Sequence, residues 1–265
     1  MNILNDLLST LPDGNAVKVC IGLHCTSAVI ESGGLTGCGL ASTLDKSYQN
    51  LNGAAQPQIG HLEEFSGREL ASWSLSSNRA MASAGVAAIN ALLAPEFSYW
   101  MDLSAEEAVV LHGSGKTVAM IGNFPYVQRL KPHLGKLSVI ECDPYTGNLT
   151  EDTAFKILPE ADVVVIDSMT LVNHSLEILL GLCSPHAYVM LSGISTPLSP
   201  ILFDYGINML SGVVITAWAP VMKSVSQGAN GRQVCRTGVR CATISSQEMY
   251  FSFEDNHSLL VKSTQ

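Results

Sequence analysis

The pattern of apolar and polar positions changes near residue 100 of this chain. Before that point, residues 16–30 and 35–43 have the composition of strands. Glu31, Ser32, Gly33 and Gly34 separate the two segments and are suited to a tight turn. The chain is therefore predicted to begin with an antiparallel hairpin.

Two helices are predicted to follow, over residues 67–77 and 79–94. Asn78 is a suitable N-cap for the second helix, and Pro95 ends it. Small side chains crowd the second helix: Ala80, Ala82, Ser83, Ala84, Gly85, Ala87, Ala88 and Ala91. Small side chains let a helix pack closely, which predicts that this helix is buried between layers. Asn90, the amide in this apolar run, then needs a hydrogen-bond partner.

From about residue 105, short apolar runs alternate with helical segments. The runs lack an apolar–polar alternation, which is typical of parallel strands buried on both faces. The predicted strands are residues 118–121, 137–141, 163–167, 188–191 and 212–215. The predicted helices are residues 125–134, 152–158, 171–182 and 200–205. This order predicts an α/β protein with a doubly wound, Rossmann-like parallel sheet over residues 105–265, after a smaller domain over residues 1–104.

Composition narrows the functional class. The chain has 265 residues, of which 47% are hydrophobic and 14% charged, and these values predict a well-filled core. A formal net charge of -9 argues against nucleic-acid binding, which needs a broad basic face. No apolar run has the length of about 18 residues that a membrane span needs, and the N-terminus lacks a basic signal region. We therefore expect a soluble, cytoplasmic protein without a membrane partner.

The seven cysteines form no C-x-x-C pair, so neither a disulfide framework nor a zinc knuckle is indicated. Most are expected to be buried thiols. His24 and Cys25, with Cys20 and Cys38 nearby, form the one grouping that suggests a soft-metal site, although their spacing matches no standard pattern.

The segment TVAMIGNFP predicts a ligand-binding turn. An apolar strand leads directly into Gly122, where the backbone can turn sharply. A dinucleotide loop would need two more glycines, and Asn123, Phe124 and Pro125 stand in their place. We therefore expect a ligand at this turn, but one that is not held by the usual nucleotide loop.

Polar residues follow the other predicted strands at the edge where α/β sheets bind ligands. Glu141 suits a ribose hydroxyl, or is a solvated loop carboxylate. Asp167 ends the apolar run VVVID, where partial desolvation would raise its pKa, and it suits a general base, a metal ligand or a helix cap. Gly193 and Ser195 follow the fourth strand. Glu141 and Asp167 are the predicted catalytic residues.

A helix is expected to begin near Leu171, with Ser168 or Thr170 as its cap and free N–H groups that favour an anion. Asn173 would lie in the first turn and point into the same crevice. His174 is expected to be exposed.

Two other signals are weaker. The segment from Gly113 to Thr117 ends like a P-loop but precedes a strand, so it is interpreted as a turn. Lys223, Arg232, Arg236 and Arg240 form a basic group that either closes over an anionic ligand or is a solvated face.

Several segments together resemble a family of unknown function named for heavy-metal chelation. They are GVAAINA at 85–91, GNFP at 122–125, IECDP around Glu141, the LPEADVVVI run that leads to TLVN at 170–173, and GISTPLSPILF from Gly193. The resemblance covers nearly the whole chain. It implies an enolase-N-terminal-like domain followed by a Rossmann-like domain, with the suspected active site in the cleft between them.

Carried over residue by residue, the resemblance indicates Asn90, Asn123, Glu141, Thr170, Asn173 and Ser195. This sequence departs from the family pattern at Asn123, where histidine is more frequent, and at Ser168 and His174, where glycines are. Asparagine is a poor ligand for transition metals, so the departure at Asn123 weakens a direct metal contact from the GNFP turn.

The sequence thus predicts that the chain binds a small polar or metal-chelating ligand in an interdomain cleft, with a role in metal chelation, metallophore processing or metal trafficking. The expected cofactor is a transition-metal ion or a metal chelate. Two alternatives remain open. One is an enzyme that uses S-adenosylmethionine or a nicotinamide cofactor at the same strand ends. The other is a partner-binding module whose small-residue helix lies in a homodimer interface.

Overall fold

The computed structural model describes residues 2–44, 58–93, 100–101, 103–140 and 153–246. Within these ranges the chain forms two sheets, one of three strands and one of six.

The smaller sheet consists of β1 (Asn15–Ile21), β2 (Cys25–Ser32) and β3 (Leu35–Ser42), all antiparallel in chain order. The predicted turn between β2 and β3 is confirmed, and its two glycines, Gly33 and Gly34, have φ values of 57° and 80°. The prediction of a single strand over residues 16–30 is wrong, because the chain turns back at Gly22. There the N–H of Gly22 donates to the carbonyl of Cys25.

Three helices accompany this sheet: α1 (Ile3–Thr10), α2 (Gly67–Ser72) and α3 (Arg79–Leu92). The helix predicted over residues 67–77 ends earlier, in a 3₁₀ turn at Trp73–Leu75. Asn78 caps α3 as predicted, since its side chain accepts a hydrogen bond from the N–H of Met81.

The helix α3 lies unusually close to β3. A Cβ atom on Gly39 would lie 2.0 Å from the carbonyl oxygen of Ala87, and one on Gly37 would lie 2.0 Å from that of Ala91. Backbone therefore meets backbone along this contact. Most side chains of α3 are buried within the single chain, against the small sheet and against the larger half of the molecule. The small-residue helix is thus not available as a dimer interface.

The larger sheet has the order β5-β4-β6-β7-β8-β9. Its strands are β4 (Thr117–Ile121), β5 (Lys136–Ile140), β6 (Val163–Asp167), β7 (Tyr188–Ser192), β8 (Met209–Ile215) and β9 (Val239–Ser245). The first five are parallel, as predicted, and β9 pairs antiparallel with β8. The strand β9 was not predicted, because its first half is partly exposed and carries Arg240.

Helices precede and connect the strands of this sheet. They are α4 (Ala105–Gly113), α5 (Val127–Leu130), α6 (Thr153–Ile157), α7 (Met169–Val172), α8 (Leu176–Leu182), α9 (Trp218–Ser226) and α10 (Gly231–Val234). The helix predicted over residues 125–134 has only one turn, and residues 200–205 form a 3₁₀ helix. The helix predicted over residues 171–182 is divided into α7 and α8 by Asn173 and His174.

Alternate residues of the strands face two separate apolar clusters. Val118 and Met120 of β4 pack with α4 and α5 on one face. Ala119 and Ile121 pack on the other face, in a cluster that also contains side chains of α1 and α3. The main core therefore runs continuously from the small sheet to the large one.

A hydrogen bond between backbone and side chain strengthens this junction, because the N–H of Ser42 donates to the hydroxyl of Ser195 at 2.8 Å. A domain boundary after residue 104 stays a prediction. None of the helices in the described ranges is long and apolar enough to cross a bilayer.

The contact between α3 and β3 predicts a large effect of one methyl group. Gly39→Ala forces a Cβ against the carbonyl of Ala87, and we expect a loss of about 3 kcal/mol in the free energy of unfolding. Urea denaturation measures this loss. Gly181→Ala is the control, since no atom lies within 4 Å of a Cβ there, and in helix α8 it should raise stability by about 0.5–1 kcal/mol. Equal stabilities of the two variants would contradict the tight contact.

Candidate functional site

A pocket of about 760 Å³ lies at the carboxyl ends of β4, β6 and β7. The strand order places β5 and β6 on opposite sides of β4, so the chain reverses its direction across the sheet at this point. Ligands of open α/β sheets bind at such switch points. We call this cavity the switch-point pocket. Its polar lining comes from His24, Ser42, Asn123, Tyr126, Arg129, Asp167, Ser192, Arg232, Cys235 and Arg236.

Asp167 lies at the base of the switch-point pocket between two glycines. A Cβ on Gly122 would lie 2.6 Å from the Cβ of Asp167, and one on Gly193 would lie 3.2 Å from its Oδ1. Both glycines have positive φ, at 116° and 142°. The two turns therefore close around this carboxyl group, and a side chain at either glycine would collide with its surroundings.

This enclosure changes the acidity of Asp167. Burial raises the pKa of the carboxyl group to about 6, although the N–H of Met169, which donates to Oδ1 at 2.9 Å, favours the ionised form. The predicted upward shift agrees with this direction. The predicted role as a cap is also supported, since the Asp167 side chain accepts from the first residue of α7. A group with this pKa exchanges protons near neutral pH.

Tyr126 and Phe124 form an aromatic wall beside this carboxyl group. Their ring centroids are 5.6 Å apart, and Phe124 is buried. Burial raises the pKa of Tyr126 to about 12; the Ser192 hydroxyl lowers it, whereas the nearby Asp167 charge raises it. The tyrosine is therefore a neutral hydroxyl, suited to donating a hydrogen bond.

Three arginines line the pocket and differ in their pairing. Arg129 donates to both carboxylate oxygens of Glu106, with Nε at 2.7 Å. Arg232 on α10 and Arg236 just after it are exposed, and neither pairs with an acidic side chain in the described part of the chain. The predicted basic group therefore separates into two residues that face the pocket and two, Lys223 and Arg240, that do not line it.

Two family models match this chain, both with the description "Putative heavy-metal chelation". DUF4213 matches residues 4–93, and DUF364 matches residues 106–243. The chain belongs to the DUF364 family. The resemblance seen in the sequence is thereby confirmed.

Three similar proteins extend the comparison. An uncharacterized protein of Methanocaldococcus jannaschii is 29% identical over 220 residues, which cover 80% of this chain and 83% of that protein. A DUF364 protein of unknown function from Desulfitobacterium hafniense has a crystal structure with a TM-score of 0.76 and 25% identity, covering 92% of this chain and 98% of its own. Another, from Pyrococcus horikoshii, has a TM-score of 0.75 and 21% identity over the same shares. The predicted α/β class is confirmed, while the enolase-like and Rossmann-like names stay predictions.

The DUF364 chain brings only part of the predicted site together. Gly122, Asn123, Phe124, Asp167 and Gly193 meet around the switch-point pocket. Glu141 lies outside the described residues. The other four predicted residues, Asn90, Thr170, Asn173 and Ser195, do not line this pocket.

Thr170, Asn173 and Ser195 are buried and hold the backbone. The hydroxyl of Thr170 donates to the carbonyl of Asp167, and Oδ1 of Asn173 accepts from the N–H and the hydroxyl of Ser175. Ser195 bonds to Ser42 at the junction of the two sheets. The bond of Thr170 lies at the end of β6 and that of Ser195 at the end of β3, whereas the bonds of Asn173 lie in the turn between α7 and α8.

The prediction that Ser168 or Thr170 caps a helix near Leu171 is wrong, and an anion at this helix start stays a prediction. The helix α7 begins at Met169, neither Ser168 nor Thr170 caps it with its side chain, and the N–H of Met169 already bonds to Asp167. Asn173 lies at the end of α7, not in its first turn.

His174 is half-buried, contrary to the expectation that it is exposed. Its Nε2 donates to the carbonyl of Ser74 at 2.7 Å, and its Nδ1 accepts from Arg79. Its φ is 63°, a left-handed conformation that glycine adopts more readily. The imidazole ties the α7–α8 break to the N-terminal half.

The described residues contain no group of three His, Cys, Asp or Glu side chains placed to hold a metal ion. Burial raises the pKa of Cys25 and of Cys38 to about 12, so both are neutral thiols. The predicted soft-metal grouping around His24 therefore does not form a ligand set within the described ranges.

Sequence reasoning missed Tyr126, Arg129 and the contribution of His24 and Ser42 to the pocket. Tyr126 and Arg129 follow the GNFP turn within four residues along the sequence. Their closeness to the predicted ligand turn could have identified them as candidates for the pocket. His24 and Ser42 reach the pocket only because the small sheet packs on the large one.

The buried carboxyl group predicts a pH-dependent stability cost. The folded pKa of Asp167 is about 6 against an ordinary value of 3.8, so the folded protein holds its proton more tightly than the unfolded chain does. Ionisation of this group does not change the free energy of unfolding below about pH 4. The free energy of unfolding falls as the pH rises to 6 and stays low above that pH. Asp167→Asn removes this loss. The free energy of unfolding of the variant, relative to that of the wild type, should therefore be higher at pH 8 than at pH 4 by about 1–3 kcal/mol.

Urea denaturation of both proteins from pH 4 to 8 measures the difference. Asp204→Asn is the matched control, since it removes the same charge from an exposed position. Parallel stability curves for wild type and Asp167→Asn would show that the carboxyl group carries no such cost.

Proposed function

We propose that the switch-point pocket binds a small anionic chelator, alone or as its metal complex. The observation that carries this proposal is the pair Arg232 and Arg236, which face the pocket and form no ion pair within the described ranges. Guanidinium groups bind carboxylates in a bidentate geometry, and charge-assisted hydrogen bonds of this kind are strong. Two pocket arginines without an acidic partner among the described residues are therefore matched to carboxylate groups.

The local charge runs against the overall charge of the chain. The net charge is -9, yet Arg232 and Arg236 line the pocket without an acidic partner in the described ranges. The third arginine of the lining, Arg129, is paired with Glu106. An anion is attracted to this region by its near neighbours, because charges beyond about 10 Å are screened at ordinary salt. The pocket volume of about 760 Å³ suits a ligand of small-molecule size.

The metal is proposed to arrive with its chelator, as cargo. The thiols near the pocket are neutral, and carboxylate or thiolate ligands in groups of three are absent from the described residues. A chelator that already satisfies the coordination sphere of its metal needs only recognition of its own charged groups. This arrangement agrees with the family description and with the asparagine at position 123.

The remaining residues take the following roles in the proposal. Asn123, Ser192 and the Tyr126 hydroxyl orient polar groups of the ligand. Asp167 accepts or releases a proton when an ionisable group of the chelator binds. Glu141 contributes carboxylate chemistry after β5. Thr170 and Ser195 hold strand ends in place, and Asn173 holds the turn between α7 and α8.

An enzyme that uses S-adenosylmethionine or a nicotinamide cofactor is the second candidate. The location of the pocket at the switch point favours it, because nucleotides bind there in related sheets. The loop after β4 opposes it, since Asn123 and Phe124 follow Gly122, and Asp167 fills the space beside this glycine. Thermal stabilisation by S-adenosylmethionine or NAD, without any by citrate, would reverse the ranking.

The pair of arginines gives the main test. We expect Arg232→Gln and Arg236→Gln each to weaken the binding of citrate and of nickel citrate about tenfold, because each removes a charge-assisted hydrogen bond. Calorimetry at 150 mM salt measures the affinity. Lys223→Gln and Arg240→Gln are matched controls, since they remove the same charge outside the pocket and should bind like the wild type.

Two outcomes would contradict the proposal. The first is an equal loss of affinity in the control variants, which would mean that only overall charge matters. The second is saturable binding of Ni²⁺ alone that is as tight as that of nickel citrate and insensitive to both arginines, since the protein would then supply the metal ligands itself.

A further inference from the structure

A second cavity, of about 720 Å³, lies at the seam between the two sheets. One wall is formed by β3 and the last turn of α3, and the opposite wall by β8 and the segment from Thr196 to Pro200. We call it the seam pocket. It shares none of its described lining residues with the switch-point pocket. Any ligand of the seam pocket is therefore distinct from the anionic chelator proposed above.

The described lining of the seam pocket contains no charged side chain. Leu35, Leu198 and Ile244 are among its apolar members, and Trp100 adds an aromatic ring. A charged ligand would lose its hydration here without gaining a partner of opposite charge, which is strongly unfavourable. The described lining therefore favours the binding of a neutral, mostly apolar molecule.

Two buried polar atoms in the described lining have no hydrogen-bond partner among the residues that the structure describes. One is Oδ1 of Asn90, and the other is the hydroxyl of Thr196, a residue that is only 2% exposed. The orientation of Asn90 is fixed, because its Nδ2 donates to the carbonyl of Leu40 at 2.8 Å. An acceptor is thus left over on a side chain that cannot turn away, and such unsatisfied buried groups are rare.

The walls of this cavity are preformed. Gly37 lies in the lining, and its backbone is packed so closely against Ala91 that a Cβ would lie 2.0 Å from the Ala91 carbonyl oxygen. The strand and the helix end therefore cannot slide together to fill the space. A cavity of this volume with few polar groups has the character of a small-molecule site.

From these observations we infer that the seam pocket is a second binding site, which takes a neutral, largely apolar molecule that carries a hydrogen-bond donor. The donor satisfies Oδ1 of Asn90 or the Thr196 hydroxyl, and the apolar body packs against Trp100 and the side chains of β3 and β8. This site does not depend on the arginines of the switch-point pocket.

The probe for this inference is 1-naphthol, a neutral aromatic molecule with one hydroxyl donor. We expect saturable binding with one site per chain by calorimetry. Binding of 1-methoxynaphthalene, which has the same rings without the donor, should be about fivefold weaker, because it leaves the buried acceptors unsatisfied. Equal affinities of the two probes would overturn the requirement for a donor.

Variants locate the binding. Thr36→Trp places a large side chain at an exposed position of β3 that lines the cavity, and it should abolish the binding of both probes. Thr196→Val removes a hydroxyl that makes no hydrogen bond, so the fold should stay intact while the preference for 1-naphthol over the ether decreases. Thermal unfolding checks that both variants are folded.

The double variant Arg232→Gln, Arg236→Gln separates this site from the proposed chelator site. It should bind 1-naphthol like the wild type even though it loses citrate. Failure of 1-naphthol to bind the wild type, or binding that survives Thr36→Trp, would overturn the second site without affecting the chelator proposal.

Discussion

The backbone contact between α3 and β3 is the constraint on which the rest of the structure depends. Glycines at positions 37 and 39 let the carbonyls of Ala91 and Ala87 approach the strand directly. The helix then lies deep enough to join the core of the larger sheet, and β3 is brought to the position where Ser42 bonds to Ser195. Both pockets follow from this geometry, since each has one wall from the small sheet and another from the large sheet.

The burial of Asp167 lowers the stability of the protein, so a structural role does not explain why this residue is an aspartate. A buried carboxyl group with a pKa of about 6 lowers the stability of the folded protein at neutral pH, so packing alone does not account for it. The hydrogen bond that it accepts from the N–H of Met169 can equally be accepted by an asparagine. The two glycines that enclose it are held in conformations that other residues rarely adopt. A group that is costly and so closely accommodated is better explained by the chemistry of a ligand.

The sequence predicted those features that depend on local patterns. The strands β4 and β6 were predicted to within one residue, and Asn78 was identified as a cap, because apolar runs and capping side chains are read from neighbouring residues. The turn at Gly22 and the break at His174 depend on contacts with distant segments, Val225 in the first case and Ser74 in the second. For the site, GNFP and Asp167 were recognised from their position after strands. The packing of α10 decides which arginines face the pocket. This packing could not be predicted from the sequence.

The shared strand β3 decides whether the two pockets communicate. Ser42, at one end of β3, lines the switch-point pocket, and Thr36, near the other end, lines the seam pocket. Coupling between them would require β3 to adopt two arrangements. The contacts of Gly37 and Gly39 with α3 leave no space for the strand to slide, and the Ser42–Ser195 bond fixes its end. Two ligands that leave this strand in place bind independently, so occupation of the seam pocket should not change the affinity of the switch-point pocket.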